Sequence, residues 1–354
     1  MRRFSGVMFL CMVALLFMPA APGEDTATDL TESTQFGAKR IDFKLGDNKA
    51  FLIFPTALPR PMRVHPWVWY APTFIGGHPD PSHTWYFKKI LAQGFYIGGI
   101  EVGESHGNPE GRAAYQKYYE YITANYPLNR KACLLPQSRG GLMLYNWAVE
   151  HPEAVACIAG IYTVCNYTSY PGLEQAALAY GLTATELDEQ RAKHNPIDRI
   201  EELAKYDIPI FHIHGDSDTV VPVSVNAGTL VDRYKDFGGK EITLKVVPGK
   251  GHEVCKEFFQ DQDFLDFILT CGRRRMIYPN EIKDTHSQVP QPTPYRLVQG
   301  PEIDGSGVHT YSIESPYING PCRVRVLKPD KASNRLLFVL PVAPWPGFED
   351  KWQK

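Results

Sequence analysis

The chain contains no CxxC pair, no His or Cys spacing of the kind that closes a zinc site, and no surplus of positive charge. The first two absences argue against a bound metal. The third, 37 basic against 39 acidic side chains for a formal charge of −2, argues against nucleic acid or an anionic membrane as partner. Long apolar runs are also lacking: the N-terminal one, Val7–Met18, stops at about a dozen residues, too short to span a bilayer. No propeller-like repeat is visible either.

What remains is the composition of a globular protein: 354 residues, 44% apolar and 12% aromatic, enough for one large core or a core with a small appendage. Arg2 and Arg3, the Val7–Met18 run and the small residues Ala20, Ala21 and Gly23 read as a signal peptide over 1–23. Export to the periplasm or exterior is expected, with an uncleaved anchor as the alternative. The acidic, Thr-rich segment that follows is expected to be disordered, so 24–40 is assigned no structure. Six cysteines lie beyond Gly23. Cys133 and Cys157 fall in apolar runs, which favours buried free thiols over disulfides.

From residue 41 to 272, short β-rich runs alternate with longer amphipathic stretches, the pattern of a mostly parallel, doubly wound α/β sheet. Ile41–Leu45 and Lys49–Phe54 flank Gly46-Asp47-Asn48 as an entry hairpin. Six further strands are predicted at 67–70, 95–102, 132–135, 154–160, 208–214 and 242–247, all read as central because they carry few charges. Helices are predicted at 84–93, 112–124, 141–150, 223–237 and 253–269. The stretch 162–205 is longer than a crossover needs and contains a capping box, Thr183-Ala184-Thr185-Glu186. It reads as a small helical cap over the carboxyl end of the sheet.

After Gly272 the texture changes. Residues 273–300, rich in Pro, Gln and Thr, read as a linker. Residues 301–354 form a β-rich extension in which Thr310–Ile313, Cys322–Leu327 and Leu336–Val342 repeat the order of hairpin then apolar strand seen at the start of the domain. Two readings stand: these strands extend the edge of the one sheet, or they begin a truncated second domain of similar kind.

Two serines compete as a nucleophile. Gly103-Glu104-Ser105-His106-Gly107 matches G-x-S-x-G literally, but the loop signals Asn108-Pro109 and Gly111 follow it where a helix is required. Ser138, in Leu135-Pro136-Gln137-Ser138-Arg139-Gly140-Gly141, has an apolar strand behind it and an unbroken helix former, Leu142–Val149, ahead. Its departure from the motif is Pro136 in place of glycine. Two further loops supply partners: His214-Gly215-Asp216-Ser217-Asp218 after one apolar strand, and Gly251-His252 after the next. A serine hydroxyl needs a base with a pKa near neutrality, and histidine is suited to take and return its proton. The order Ser, Asp, His, each at the carboxyl end of a strand, allows the three to converge.

In these three segments, within residues 41–270, the chain resembles the α/β-hydrolase superfamily, and more narrowly its prolyl-oligopeptidase and dienelactone-hydrolase-like branches. The resemblance implies Ser138 as nucleophile, His252 as base and Asp218 as the acid, by the match to His-Gly-x-x-Asp-x-x-Val-Pro. Asp216 then buttresses its loop, or is the acid in the alternative reading. Oxyanion donors are expected from the backbone N–H of Arg139 and from the loop near Thr73 or Phe74. Glu104 and His106 could line the pocket. His78, His83, His106, His212 and His214 show no metal spacing and read as structural or polar-loop residues. No cofactor or metal is expected. The substrate implied is a small-molecule or carbohydrate ester cleaved through an acyl-enzyme, with peptide cleavage as the rival activity. A non-catalytic, hydrolase-like binding protein is the third reading.

Overall fold

The computed structural model describes residues 27–58, 64–72, 78–274, 296–303, 308–314 and 322–327. The expected signal peptide and the Leu336–Val342 strand lie outside them. Nine strands form one sheet: β1 (Thr28–Gln35), β2 (Ala38–Leu45), β3 (Asn48–Ile53), β4 (Trp67–Ala71), β5 (Tyr96–Ile100), β6 (Ala132–Pro136), β7 (Val155–Ile161), β8 (Ile210–Gly215) and β9 (Ile242–Val247). Their spatial order is β1-β2-β3-β5-β4-β6-β7-β8-β9. The first three are antiparallel, β3 pairs antiparallel with β5, and every pairing from β5 to β9 is parallel. The expected doubly wound, mostly parallel sheet is what forms.

Alternation along each strand builds two cores. In β4, Trp67, Trp69 and Ala71 enter one cluster while Val68 and Tyr70 enter the other, and in β6 Ala132 and Leu134 oppose Cys133 and Leu135 in the same way. This is the period of two that sends successive side chains to opposite faces. Helices α2 (Pro109–Asn125), α3 (Gly140–Glu150), α7 (Glu201–Lys205) and α8 (Ala227–Asp236) supply the first cluster. Helices α1 (Thr84–Ala92), α9 (Lys256–Phe259) and α10 (Gln262–Arg274) supply the second. Helix α3 is buried along nearly its whole length because it crosses the middle of the sheet.

Several expectations need correction. Residues 24–40 are not all without structure, since β1 pairs with β2 from Thr28 onward across a turn at Phe36-Gly37, both at positive φ. The side chains of β1 are almost all exposed, so its place comes from the backbone ladder, which composition does not report. Strand β9 is the edge of the sheet and is only half buried. The helix expected over 253–269 is two helices, because the Asp261 carboxylate accepts from Phe264 N at 2.9 Å and caps a new start. Likewise 223–237 breaks at Asn226, whose side-chain oxygen accepts from the backbone N–H of Cys165 and Asn166 at 3.0 and 3.1 Å.

The cap is smaller than 162–205. Helices α4 (Leu173–Tyr180) and α5 (Ala184–Glu189) share a separate apolar cluster with Leu142, Val164 and Tyr167, and the Thr183–Glu186 capping box is formed. Short α6 (Arg191–His194) follows, but Ile197, Leu203 and Ala204 already belong to the main core. Cys133, Cys157, Cys165 and Cys255 carry free thiols. Among the described residues no helix is long and apolar enough to cross a membrane.

Residues 283–354 form a second compact unit. Its described strands, β10 (Arg296–Ile303), β11 (Val308–Glu314) and β12 (Cys322–Leu327), pair antiparallel in a sheet of their own. The expected linker, 273–300, begins inside α10 and ends inside β10.

Candidate active site

Strand β6 ends at Pro136, the last residue in register with β4, and α3 starts at Gly140. The chain reverses between them in a turn that holds Ser138 at φ 50°, a left-handed conformation that a serine adopts only under constraint from its surroundings. That constraint is visible: Ser138 N donates to Ile161 O at 3.0 Å, and Ser138 O accepts from Gly141 N at 3.0 Å and Val164 N at 2.9 Å. The two glycines are required by close approach. A Cβ on Gly140 would come 2.7 Å from Ala71 O, and one on Gly141 would come 2.2 Å from Val164 O. Pro136 fits because a strand's final residue can do without its N–H, and its carbonyl still accepts from Thr163 Oγ1 at 3.3 Å.

The three candidate residues meet. The Ser138 hydroxyl lies 2.9 Å from His252 Nε2, and His252 Nδ1 lies 2.8 Å from Asp218 Oδ2. Asp218 follows β8, and its other oxygen accepts from the backbone N–H of Val220 at 2.9 Å and of Val221 at 2.8 Å. With the carboxylate so held, Nδ1 carries the proton and Nε2 faces the serine as an acceptor. Burial pushes the Asp218 carboxyl up, but hydrogen bonds from His214, Val221 and His252 outweigh it and bring the pKa down to about 2. Asp218 is therefore an anion throughout the neutral range.

The competing residues have other work. Asp216 accepts from Gly249 N at 2.7 Å and from Ser217 Oγ at 2.9 Å, tying the Asp218 loop to the loop that leads to His252. Ser105 is buried, and its hydroxyl accepts only a long 3.4 Å bond from Gly107 N among the bonds described. A helix does follow it, contrary to the expectation of a plain loop: α2 starts at Pro109, capped by Asn108, whose side chain accepts from Gly111 N at 2.8 Å. Ser105 nonetheless sits midway along the connection from Ile100 to Pro109 and not in a tight strand-to-helix turn. Glu104 is brought to the Ser138 turn through an ion pair with the Arg139 guanidinium, and His106 Nδ1 lies 4.0 Å from Glu104. Burial, and to a smaller degree Arg139, lowers the pKa of His106 against the opposing pull of Glu104. Thr73 and Phe74 lie outside the described residues.

One contributor was passed over in the sequence. His214, read there as structural, is fully buried, with Nε2 donating to Val221 O at 2.7 Å and sitting 3.4 Å from Asp218 Oδ2. It braces the acid from below. Its spacing of four residues from Asp218, across Gly215, was the available signal.

The sequence profile of the Phospholipase/Carboxylesterase family matches residues 193–271, which include Asp218 and His252 but not Ser138. No curated protein sequence matches the chain. Among solved structures, an S-formylglutathione hydrolase from Agrobacterium tumefaciens is similar at a TM-score of 0.52 and 12% identity, over 69% of this chain and 98% of that one. A puromycin-hydrolyzing peptidase from Mycobacterium tuberculosis is similar at 0.52 and 12%, over 70% of this chain but 39% of the peptidase. A protein described as a dipeptidyl aminopeptidase IV from Bacteroides ovatus is similar at 0.52 and 14%, over 70% of this chain and 36% of its own length. The chain thus spans well under half of those two longer proteins. Its fold is that of the α/β hydrolases, a mostly parallel sheet covered by helices.

Proposed function

We propose that this chain is a serine hydrolase acting on carboxylic esters through an acyl-enzyme. The observation that carries the reading is the continuous hydrogen-bonded series from Asp218 through His252 to a serine held at positive φ. In the proposed reaction the Ser138 oxygen attacks the acyl carbon as its proton passes to His252 Nε2. The imidazolium so formed is stabilised by Asp218 and returns the proton to the leaving alcohol. Water, deprotonated by the same imidazole, then attacks the acyl-enzyme and releases the acid and Ser138. The Arg139 N–H, first in line after the nucleophile, is proposed as one oxyanion donor and the loop at Thr73 or Phe74 as the source of the second. Loss of one such donor lowers turnover by roughly a hundredfold or more.

Esters are preferred over peptides because the family profile is that of phospholipases and carboxylesterases, and because the S-formylglutathione hydrolase is matched over nearly its whole length. Peptide cleavage is the second reading, supported by the two longer peptidases. A fluorophosphonate probe is expected to label the purified protein at Ser138. Labelling that persists in Ser138→Ala and vanishes in Ser105→Ala would overturn the assignment. A panel of p-nitrophenyl esters beside peptide anilides separates the two activities, and turnover of anilides alone would favour the peptidase. Export is proposed from the N-terminal pattern, and N-terminal sequencing of secreted material tests it.

A further inference from the structure

The turn that carries Ser138 also carries a polar side chain for which the proposed reaction has no use. Gln137 donates its backbone N–H to Ala71 O at 2.7 Å and bridges to Ile161, which sets its place between β4 and β7. Its buried amide is bonded at both ends. The oxygen accepts from the Tyr70 hydroxyl at 3.1 Å and from His83 Nε2 at 2.9 Å, and the nitrogen donates to the Tyr162 hydroxyl at 2.8 Å. His83 is itself fully buried, with Nδ1 3.5 Å from Asp80.

At the far end of this series Tyr162 stands at φ 35°, a strained backbone for an aromatic residue, and turns its ring toward His252. The two ring centroids are 4.4 Å apart with planes at 55°. Phe258 and Phe259 pack against the same ring, with centroids at 5.5 and 6.2 Å. Around the imidazole, then, stand the Asp218 carboxylate, the Ser138 hydroxyl and the Tyr162 ring. An apolar side chain at 137 would fill the same volume. An amide bonded through both its oxygen and its nitrogen, next in sequence to Ser138 and joined to the ring against His252, does more than fill it.

We propose that Gln137 and Tyr162 are positioning residues for His252: Gln137 fixes the Tyr162 hydroxyl, and the Tyr162 ring holds the imidazole in line between Ser138 and Asp218 and offers its π-face to the imidazolium. This role rests on the serine-hydrolase reading. The proton moves only from Ser138 Oγ to His252 Nε2. Tyr162 neither gains nor loses one, and burial raises its phenol above the ordinary value, so it stays neutral.

The test compares wild type, Tyr162→Phe, Tyr162→Leu and Gln137→Met by fluorophosphonate labelling rate and by kcat and KM on p-nitrophenyl butyrate, with the unfolding midpoint recorded for each. Tyr162→Leu is expected to lose about tenfold in kcat and in labelling rate, with KM within about twofold, as a lost cation–π contact of this kind predicts. Tyr162→Phe keeps the ring and is expected to retain kcat within about threefold. Gln137→Met, which removes the same bond as Tyr162→Phe, should lower kcat by about threefold at unchanged KM. If Tyr162→Leu fails to fold, Gln137→Met carries the test, and wild-type kcat in that variant overturns the role. Equal rates in all the variants of a protein that labels, or a loss in Tyr162→Phe as large as in Tyr162→Leu, also overturns it. Wild-type protein that takes up no fluorophosphonate overturns the serine-hydrolase reading and this role together.

Discussion

Ser105, in the loop after β5, and Ser138, in the turn after β6, both leave the carboxyl end of a buried parallel strand, yet their surroundings differ in kind. The Ser105 loop is fastened to the cap. Asn108 Nδ2 donates to Ala179 O at 2.7 Å, the Tyr180 hydroxyl donates to His106 O at 3.0 Å, and Arg112 Nη1 donates to Gly107 O at 2.7 Å while lying 3.5 Å from His194 Nδ1. Its serine packs on Gly111, where a Cβ would come 2.5 Å from the hydroxyl oxygen. The Ser138 turn is strained instead, and its hydroxyl meets the His252 imidazole. A serine near glycines is thus a nucleophile candidate only where the turn is tight enough to raise the side chain and a histidine from another strand end meets it. The same residue types in a longer loop make a fastener between sheet and cap.

Substitution separates the two serines most sharply. Ser138→Ala should remove ester turnover by a factor of at least about a thousand, while Ser105→Ala should stay within a few-fold of wild type in kcat. The same contrast holds between the two aspartates. Asp218→Asn is expected to lower kcat by roughly ten-thousandfold with little change in KM, because the imidazole loses its oriented tautomer. Asp216→Asn weakens a loop tie and should keep most activity, with stability lower by about 1 kcal/mol in urea denaturation.

Backbone substitutions probe the two loops by stability. Gly141→Ala places a methyl 2.2 Å from a carbonyl oxygen and should destabilise the fold by about 3 kcal/mol or prevent it. Gly103→Ala, at φ 59° in open space, should lose only about 1–2 kcal/mol.

Acid should loosen the fastener before it reaches the site. Burial, reinforced by Arg112 and Arg199, brings His194 from 6.5 down to about 4, so the folded state resists its protonation. The unfolded chain then binds the proton first, and stability falls as pH drops from about 6.5 toward 4 before levelling. Between pH 7 and 5 this amounts, after solvent screening, to about 1 kcal/mol, an amount that His194→Gln should largely abolish in paired denaturation curves. The Asp218 contribution changes in the same direction but in a more acid window: it is complete well above pH 4 and is lost as pH falls toward 2.

Much of the fold was legible because it rests on patterns that neighbouring residues impose. Six apolar runs became β4 to β9, and the alternation of Trp67, Val68, Trp69 and Tyr70 forecast a strand buried on both faces. The polar β1 was missed because a backbone ladder leaves no trace in side-chain hydrophobicity. The breaks at Asn226 and Asp261 were missed because each depends on what a single side chain bonds, and helix propensity averages over a window.

Read alone, the amino-acid order determined an alternation of strand and helix, a tight turn at Ser138 followed by two glycines, and a serine, an aspartate and a histidine each following a strand. Those properties arise from local sterics and from a periodicity that any short segment carries. Only the folded chain decided that Ser138 and His252, separated by 114 residues, approach to 2.9 Å. It also decided that Glu104 pairs with Arg139, that His214 braces Asp218, and that Gln137 reaches Tyr162 beneath His252. Hydrogen bonds and ring contacts act over a few ångströms, so which groups share one is set by the packing of the sheet and its helices.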